Sequence, residues 1–316
     1  MEHRKFQRRL GELVAELTSA QVRKMIDALT GRDAGDETRK LIDGAFQTDV
    51  HCPHCQGRHI HRHGVARGLQ RYKCLGCTRT FNALTGTPLA RLRKRGRWLS
   101  YAASLNASES VRTAAARIGI AKSTSFRWRH RFLKARKDHK DQRLTGIVEV
   151  DECFILESRK GERHLPRKAR KRGGKAEKPG LSSEQTPILI ALDRHGNHVG
   201  AVLPDRSETA VSAVLKSVIP KSEALLCMDG DAALIAFAER QAIEYELIVA
   251  SRGEHVHEKV LHIQNVNGYV SRFKKWLASF NGVATKYLQN YLGWRRMLEK
   301  SAGALTPEGC LAAAIR

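Results

Sequence analysis

The order of apolar and polar residues divides the chain into stretches of different period. From Leu10 the run LGELVAELTSAQVRKMIDALTG repeats apolar residues every three to four positions, which predicts short amphipathic helices within residues 1–48, with Gly31 closing the run. Residues 49–82 lose that period and turn to Cys, His, Arg and Gly, the profile of a small loop-rich unit that needs a staple. The helical period returns at 95–136, within a segment bounded at 83–140. From Gly146 the texture changes again. GIVEVDECFIL, TPILIALD, NHVGAVLP, ALLCMD and YELIVAS are short β-branched runs, with helix-like runs at 206–219, 231–241 and 262–280. The predicted order of strand, strand, strand, helix, strand, helix, strand, helix describes a mixed α/β domain over 145–300, its sheet ordered 3-2-1-4-5. An insertion at 157–185 between the first two strands has no apolar period and reads as a mobile loop; residues 301–316 are left as a C-terminal tail.

Charge narrows the class of partner. The 316 residues carry 56 Lys and Arg against 32 Asp and Glu, a net charge of +24, while 41% hydrophobic residues supply enough apolar material for real cores. A folded protein with that surplus repels itself and gains by releasing counterions from a polyanion, so nucleic acid is the expected partner. No run reaches the roughly 18 to 20 apolar residues of a membrane span, and MEHRKFQRRL puts charges where a signal peptide would be apolar. The reading is an intracellular protein with no membrane partner.

Four of the seven cysteines form two CxxC knuckles, Cys52 with Cys55 and Cys74 with Cys77, eighteen residues apart. Two tight turns of this kind aim four thiolates at one ion, the spacing of a zinc ribbon, and a closed four-thiolate shell leaves no position for catalysis. His51, His54, His59, His61 and His63 are then surface residues near phosphate. Downstream, Ser110 to Ile118, Gly119 to Ala121 and Lys122 to Leu133 reproduce a helix-turn-helix, with small Ala114, Ala115 and Ala116, Gly119 in the turn and Ile118, Ile120 and Phe126 as core. The second helix would offer Lys122, Ser123, Thr124, Arg127 and Arg131 to DNA. Within the insertion, Arg167, Lys168, Arg170, Lys171 and Arg172 belong to a run of ten cations against three acids from Glu157 to Lys178, suited to the DNA backbone. Tyr291 and Trp294 read as core, and Cys153, Cys227 and Cys310 as buried hydrophobes.

Three positions in the α/β region carry candidate chemistry. Asp151 lies inside the first strand, Asp229 ends the fourth, and Asn267 opens a long helix with Lys274 about two turns on. In a 3-2-1-4-5 sheet the first and fourth strands are neighbours, so the three oxygens could converge on two Mg2+ ions at a phosphodiester. Glu149, on the same strand face, and Glu152, on the opposite one, are alternatives to Asp151; Glu254, His257 and Glu258 compete with Asn267.

CPHC with CLGC, VEVDECF, LCMDG and above all HIQNVNGYVSRFKKWLASFNGVATKYLQNYLGWRRMLE resemble bacterial insertion-sequence transposases with an N-terminal zinc ribbon and a C-terminal DDE-type, ribonuclease H-like catalytic domain. The resemblance runs from the zinc knuckles to about Leu298. It implies that Asp151 and Asp229 are the first two acids, that Asn267 stands where the third is usually Glu, and that Lys274 touches DNA phosphate. It further implies structural Zn2+, catalytic Mg2+ or Mn2+, double-stranded DNA as terminal inverted repeats and target, a homodimer or higher oligomer on DNA, and a bacterial cytoplasmic, nucleoid-associated setting. The expected activity is a DNA transposase that hydrolyses and then joins strands. A catalytically dead DNA-binding regulator and a ribonuclease H-like nuclease are the rivals.

Overall fold

The structure, a computed structural model, describes residues 2–47, 50–134, 143–170, 174, 176–178, 182–248, 260–301 and 303–315. These fall into two compact units, one formed by residues 1–109, 114–121 and 306–316 and the other by 110–113 and 122–305.

The first unit begins with helices α1 (Glu2–Ala15) and α2 (Ser19–Gln47). The expected stop at Gly31 does not occur: α2 continues to Gln47. One Gly costs a helix only about 1 kcal/mol, and the later turns bury Thr38 and Ile42 completely, which outweighs it. A three-stranded antiparallel sheet follows, β1 (Ile60–Ala66), β2 (Leu69–Cys74) and β3 (Thr80–Asn82), in the order β1-β2-β3. Its inner face packs Tyr72 and Phe81 on Phe46 of α2, with ring centroids 5.0 and 5.9 Å from Phe46. Helix α3 (Trp98–Asn106) buries Trp98, Tyr101, Ala102 and Leu105. Helix α4 (Val111–Ile118) runs into Gly119 at φ +67°, and the guanidinium of Arg97 holds that turn by donating to the carbonyls of Ile118 and Gly119. The last helix of the chain, α10 (Pro307–Ile315), also belongs to this unit; it packs on α2 and α3 and buries Cys310, Leu311, Ala314 and Ile315. The sequence reading left this stretch as a tail because PEGCLAAAI is apolar nearly all round and shows no amphipathic period.

The second unit opens with α5 (Lys122–Phe132), which buries Ser125, Trp128, Arg129 and Phe132. Ile118 and Ile120 are buried as expected, but Phe126 is 44% exposed, resting edge-on against His130 and Tyr287 instead of entering a core. The sheet comprises β4 (Gly146–Leu156), β5 (Gln185–Asp193), β6 (His198–Val202), β7 (Ala224–Met228) and β8 (Glu244–Leu247), ordered β6-β5-β4-β7-β8, which is the expected 3-2-1-4-5. β4 pairs antiparallel with β5 and parallel with β7. Helices α6 (Glu208–Leu215) and α7 (Ala232–Gln241) cover one face, where Val148, Val150, Leu226, Met228 and Phe237 form a continuous core. Helix α8 (Gln264–Ala278) packs on β4 and β5, and α9 (Leu288–Lys300) on β6, with Tyr291 and Trp294 buried. Among the described residues no helix is long and apolar enough to cross a membrane.

Candidate active site and metal centre

Strand alternation sends Val148 and Val150 into the core under α6 and α7, so Glu149, Asp151 and Cys153 take the other face of β4. The parallel register pairs Val148 with Leu226 and Glu149 with Cys227. Continued two residues beyond that last pair, one residue past the end of β7, the register brings Asp229 level with Asp151. The proximity has an electrical consequence. The Asp151 carboxyl is pushed up to about 6, first by burial and next by the negative charge of Asp229, with Lys274 pulling the other way. Asp229 itself is exposed.

Lys274 and Asn267 lie seven residues apart on α8, hence on one side of the helix, and both are exposed. They flank the stripe of Val266, Tyr269, Val270, Phe273 and Leu277 that α8 buries. Two acids, one within β4 and one just past the end of the adjacent β7, with a cation on α8, can hold a divalent ion against phosphate oxygens. Glu254, His257 and Glu258, the rivals to Asn267, lie outside the described residues.

The two alternatives to Asp151 are otherwise engaged. Glu149 is 1% exposed and spends both oxygens: Oε1 lies 2.9 Å from Arg194 Nη2 and accepts from Asn265 Nδ2 at 2.9 Å, while Oε2 accepts from the Val266 N–H at 2.9 Å. Glu152 faces the opposite way, as alternation requires. It pairs with Arg206 at 3.1 Å, and the same guanidinium reaches Asp231 at 2.6 Å. Asp231 in turn caps α7 through the N–H groups of Ala233 and Leu234. The sequence reading had no signal for the partners of Glu149 or Glu152, which come from segments 45 to 117 residues away.

In the first unit, the sulfurs of Cys52, Cys55, Cys74 and Cys77 all lie within 4.8 Å of one another, with Cys52–Cys77 and Cys55–Cys74 at 3.6 Å. A tetrahedral zinc with Zn–S near 2.3 Å requires edges of about 3.8 Å, so the donor set fits, and the cluster can hold a metal such as zinc. The N–H groups of Cys77 and Gly76 draw the Cys74 thiol down, toward the thiolate that binds metal. His54, His59, His61 and His63 are exposed. The sheet's outer face pairs His61 with Lys73 and Lys73 with Thr80, and Arg71 with Asn82.

Of the expected DNA contacts on α5, Lys122, Ser123 and Arg127 are exposed, and Thr124 and Arg131 half-buried. In the insertion, Lys168 is exposed, whereas Arg170 donates to the Glu157 carbonyl at 2.7 Å and pairs with Glu184 at 2.6 Å, and Arg167 stands 3.6 Å from Glu157. Ser158 exchanges hydrogen bonds with Thr285, and Lys160 donates to the carbonyls of Asn281 and Gly282. The first part of the insertion is therefore tied to the domain. Lys171 and Arg172 lie outside the described residues. Cys153, Cys227 and Cys310 are buried, and desolvation pushes Cys153 up to about 12 and Cys227 up to about 11.

Comparison with known proteins shows what the chain is similar to. Residues 143–295 match the ISXO2-like transposase domain family. An uncharacterised protein of the transposable element ISH50 in Halobacterium salinarum is 31% identical over 252 residues, covering 78% of this chain and 84% of its own length. Among solved structures, a pre-cleavage Mos1 transpososome is 14% identical with a TM-score of 0.23, covering 68% of this chain and 79% of that one. A Mos1 mariner paired-end complex with Mn is 14% identical with a TM-score of 0.21, covering 68% and 77%. The chain belongs to the ISXO2-like insertion-sequence transposases and is a DNA transposase of an insertion sequence.

Proposed function

We propose that this transposase binds the terminal inverted repeats of its element, hydrolyses a phosphodiester at each end and joins the freed 3′ hydroxyl to target DNA, using Asp151, Asp229 and Asn267 as ligands for Mg2+ or Mn2+. The observation that supports the reading is the pairing of Glu149 with Cys227, a register that, carried on by two residues, brings Asp229 beside Asp151 on the face of the sheet where α8 packs. The residues fit such an ion: the Asp151 carboxyl, raised first by burial and next by the charge of Asp229, would be relieved by a divalent cation that the two acids hold. When bound, the metal supplies Lewis-acid stabilisation of the oxygens at phosphorus. Asp151 and Asp229 supply its carboxylate oxygens and Asn267 an amide oxygen from α8. Lys274, on the same helix side and near enough to act on Asp151, holds the scissile phosphate.

Two displacements at phosphorus then suffice. Water replaces one ester oxygen and leaves a 3′ hydroxyl; that hydroxyl attacks a target phosphodiester, so one P–O bond forms as another breaks. Ends are held by Lys122, Ser123, Thr124, Arg127 and Arg131 on α5, by the zinc-stapled sheet, and by Lys168 with its basic neighbours Arg167, Arg170, Lys171 and Arg172. Zn2+ on the four cysteines is structural. Pairing two ends calls for a dimer or higher oligomer on DNA.

The neutral Asn267 favours one second reading, a regulator that binds ends without cutting. Incubating the native chain with DNA that carries the element's ends separates the two: metal-dependent nicking and joining of a pre-cut 3′ end support the transposase reading, and end binding without nicking supports the regulator.

A further inference from the structure

We propose that Glu149 is a positioning residue that fixes the first turn of α8, and with it Asn267, against the strand bearing Asp151; the proposal rests on the ligand reading above. Ile263 at the N-cap of α8 has no side-chain acceptor; His262 Nδ1 takes the Gln264 N–H at 3.3 Å, and the Val266 N–H finds its acceptor far away in the chain. The first turn of a helix leaves N–H groups unsatisfied, and a carboxylate there answers both the missing bonds and the helix dipole. Glu149 supplies it from 117 residues away, taking the Val266 N–H at 2.9 Å and the Asn265 amide at 2.9 Å. Asp151 follows Glu149 by two residues on the same strand face, and Asn267 follows Val266 by one. A single buried carboxylate thus joins the element carrying the first ligand to the element carrying the third.

The anchor is braced from a third side. Asp193 ties the β5–β6 turn by accepting from the N–H groups of His195 and Asn197 at 2.9 and 2.8 Å. That turn presents Arg194, which pairs with Glu149 and donates to the Val260 carbonyl at 3.0 Å, just ahead of α8. With both Glu149 oxygens engaged, its role is to orient a ligand-bearing helix.

The test is Mn2+ binding by the zinc-loaded, full-length protein, measured by calorimetry, beside the Mn2+ dependence of end nicking, for Glu149→Ala, Glu149→Gln, Asn265→Ala and Asn267→Ala. Removing an orienting partner of a metal ligand typically weakens binding or activity roughly 10- to 100-fold. Glu149→Ala is expected to weaken Mn2+ binding by that amount while end-DNA affinity stays within about twofold. Glu149→Gln retains an acceptor for Val266 and should recover part of the loss, and Asn265→Ala, which removes one leg only, should show a smaller one. Should Glu149→Ala fail to fold, the Gln and Asn265 variants decide by the same measurement. Unchanged Mn2+ affinity in folded Glu149 and Asn265 variants overturns the proposal. If those are unchanged while Asn267→Ala loses binding, the ligand reading survives without the anchor; if Asn267→Ala also binds normally, both fall.

Discussion

Asp151 is the residue at which stability and chemistry oppose each other. Its carboxyl stands at about 6 against an ordinary value near 3.8, chiefly through burial and then through Asp229. Because the folded value is the higher one, the metal-free fold carries a penalty at neutral pH that is relieved as pH falls through about 6 toward 4. At roughly 1.4 kcal/mol per unit the penalty is on the order of 1 to 3 kcal/mol. Asp151→Asn should therefore raise the melting temperature of the metal-free protein by several degrees while abolishing nicking, and Mg2+ should stabilise the native chain but not the variant. A variant that melts lower than the native chain contradicts this account of the site. Gly119 is a second informative residue. Its φ is +67°, and a Cβ there would lie 2.8 Å from the Arg97 side chain, so Gly119→Ala is expected to cost about 1 to 2 kcal/mol, read as a lower melting temperature. At this scale the sequence singled out Asp151 and Asp229 as candidates and showed the four cysteines as a cluster, because each sits in a pattern with a chemical meaning. It did not disclose what Glu149 does. Alternation gives a residue's face, whereas the partners of Glu149 depend on where a helix more than a hundred residues later begins.

Elements with a clear period were legible and those without one were not. The five strands of the α/β region and the helices between them follow from alternating or β-branched runs, and the sheet order follows from the connections. α10 escaped because its Ala-rich run has no polar face, and α2 was cut short at Gly31 because a glycine weighs less than the packing of the turns beyond it. Phe126 was assigned to a core by its type, but α5 turns Trp128 and Phe132 inward and leaves Phe126 against Tyr287. The proposed zinc ribbon would be the element most dependent on its ion. Its strands are 7, 6 and 3 residues long and share the small core of Cys52, Tyr72, Cys74 and Phe81. Cys74→Ser should reduce bound zinc from one per chain to near zero and open residues 50–82 to proteolysis, with nicking of end DNA lost as a consequence of failed end binding. Full zinc content in that variant would contradict the four-thiolate site.

At the scale of the whole molecule, charge is unevenly placed. From Val50 to Ser108 the chain has eleven Lys and Arg and not one Asp or Glu, and the outer face of the ribbon sheet carries His61, Arg71 and Lys73. If that face meets DNA phosphate, each contact adds about 0.9 to the slope of log affinity against log salt. Arg71→Ala with Lys73→Ala should lower that slope by about 1.8, measured by titration of duplex DNA at several salt concentrations; an unchanged slope would remove this face from the interface. The most direct test of the central claim is nicking of duplex DNA carrying the element's own ends, in Mg2+ and in Mn2+, by the native chain, Asp151→Ala, Asp229→Ala and Asn267→Ala at equal end occupancy. The account predicts metal-dependent nicking by the native chain and its loss in all three variants. Nicking that survives Asp151→Ala or Asp229→Ala would contradict the assignment of the acid pair, and nicking that survives Asn267→Ala would contradict Asn267 as the third ligand.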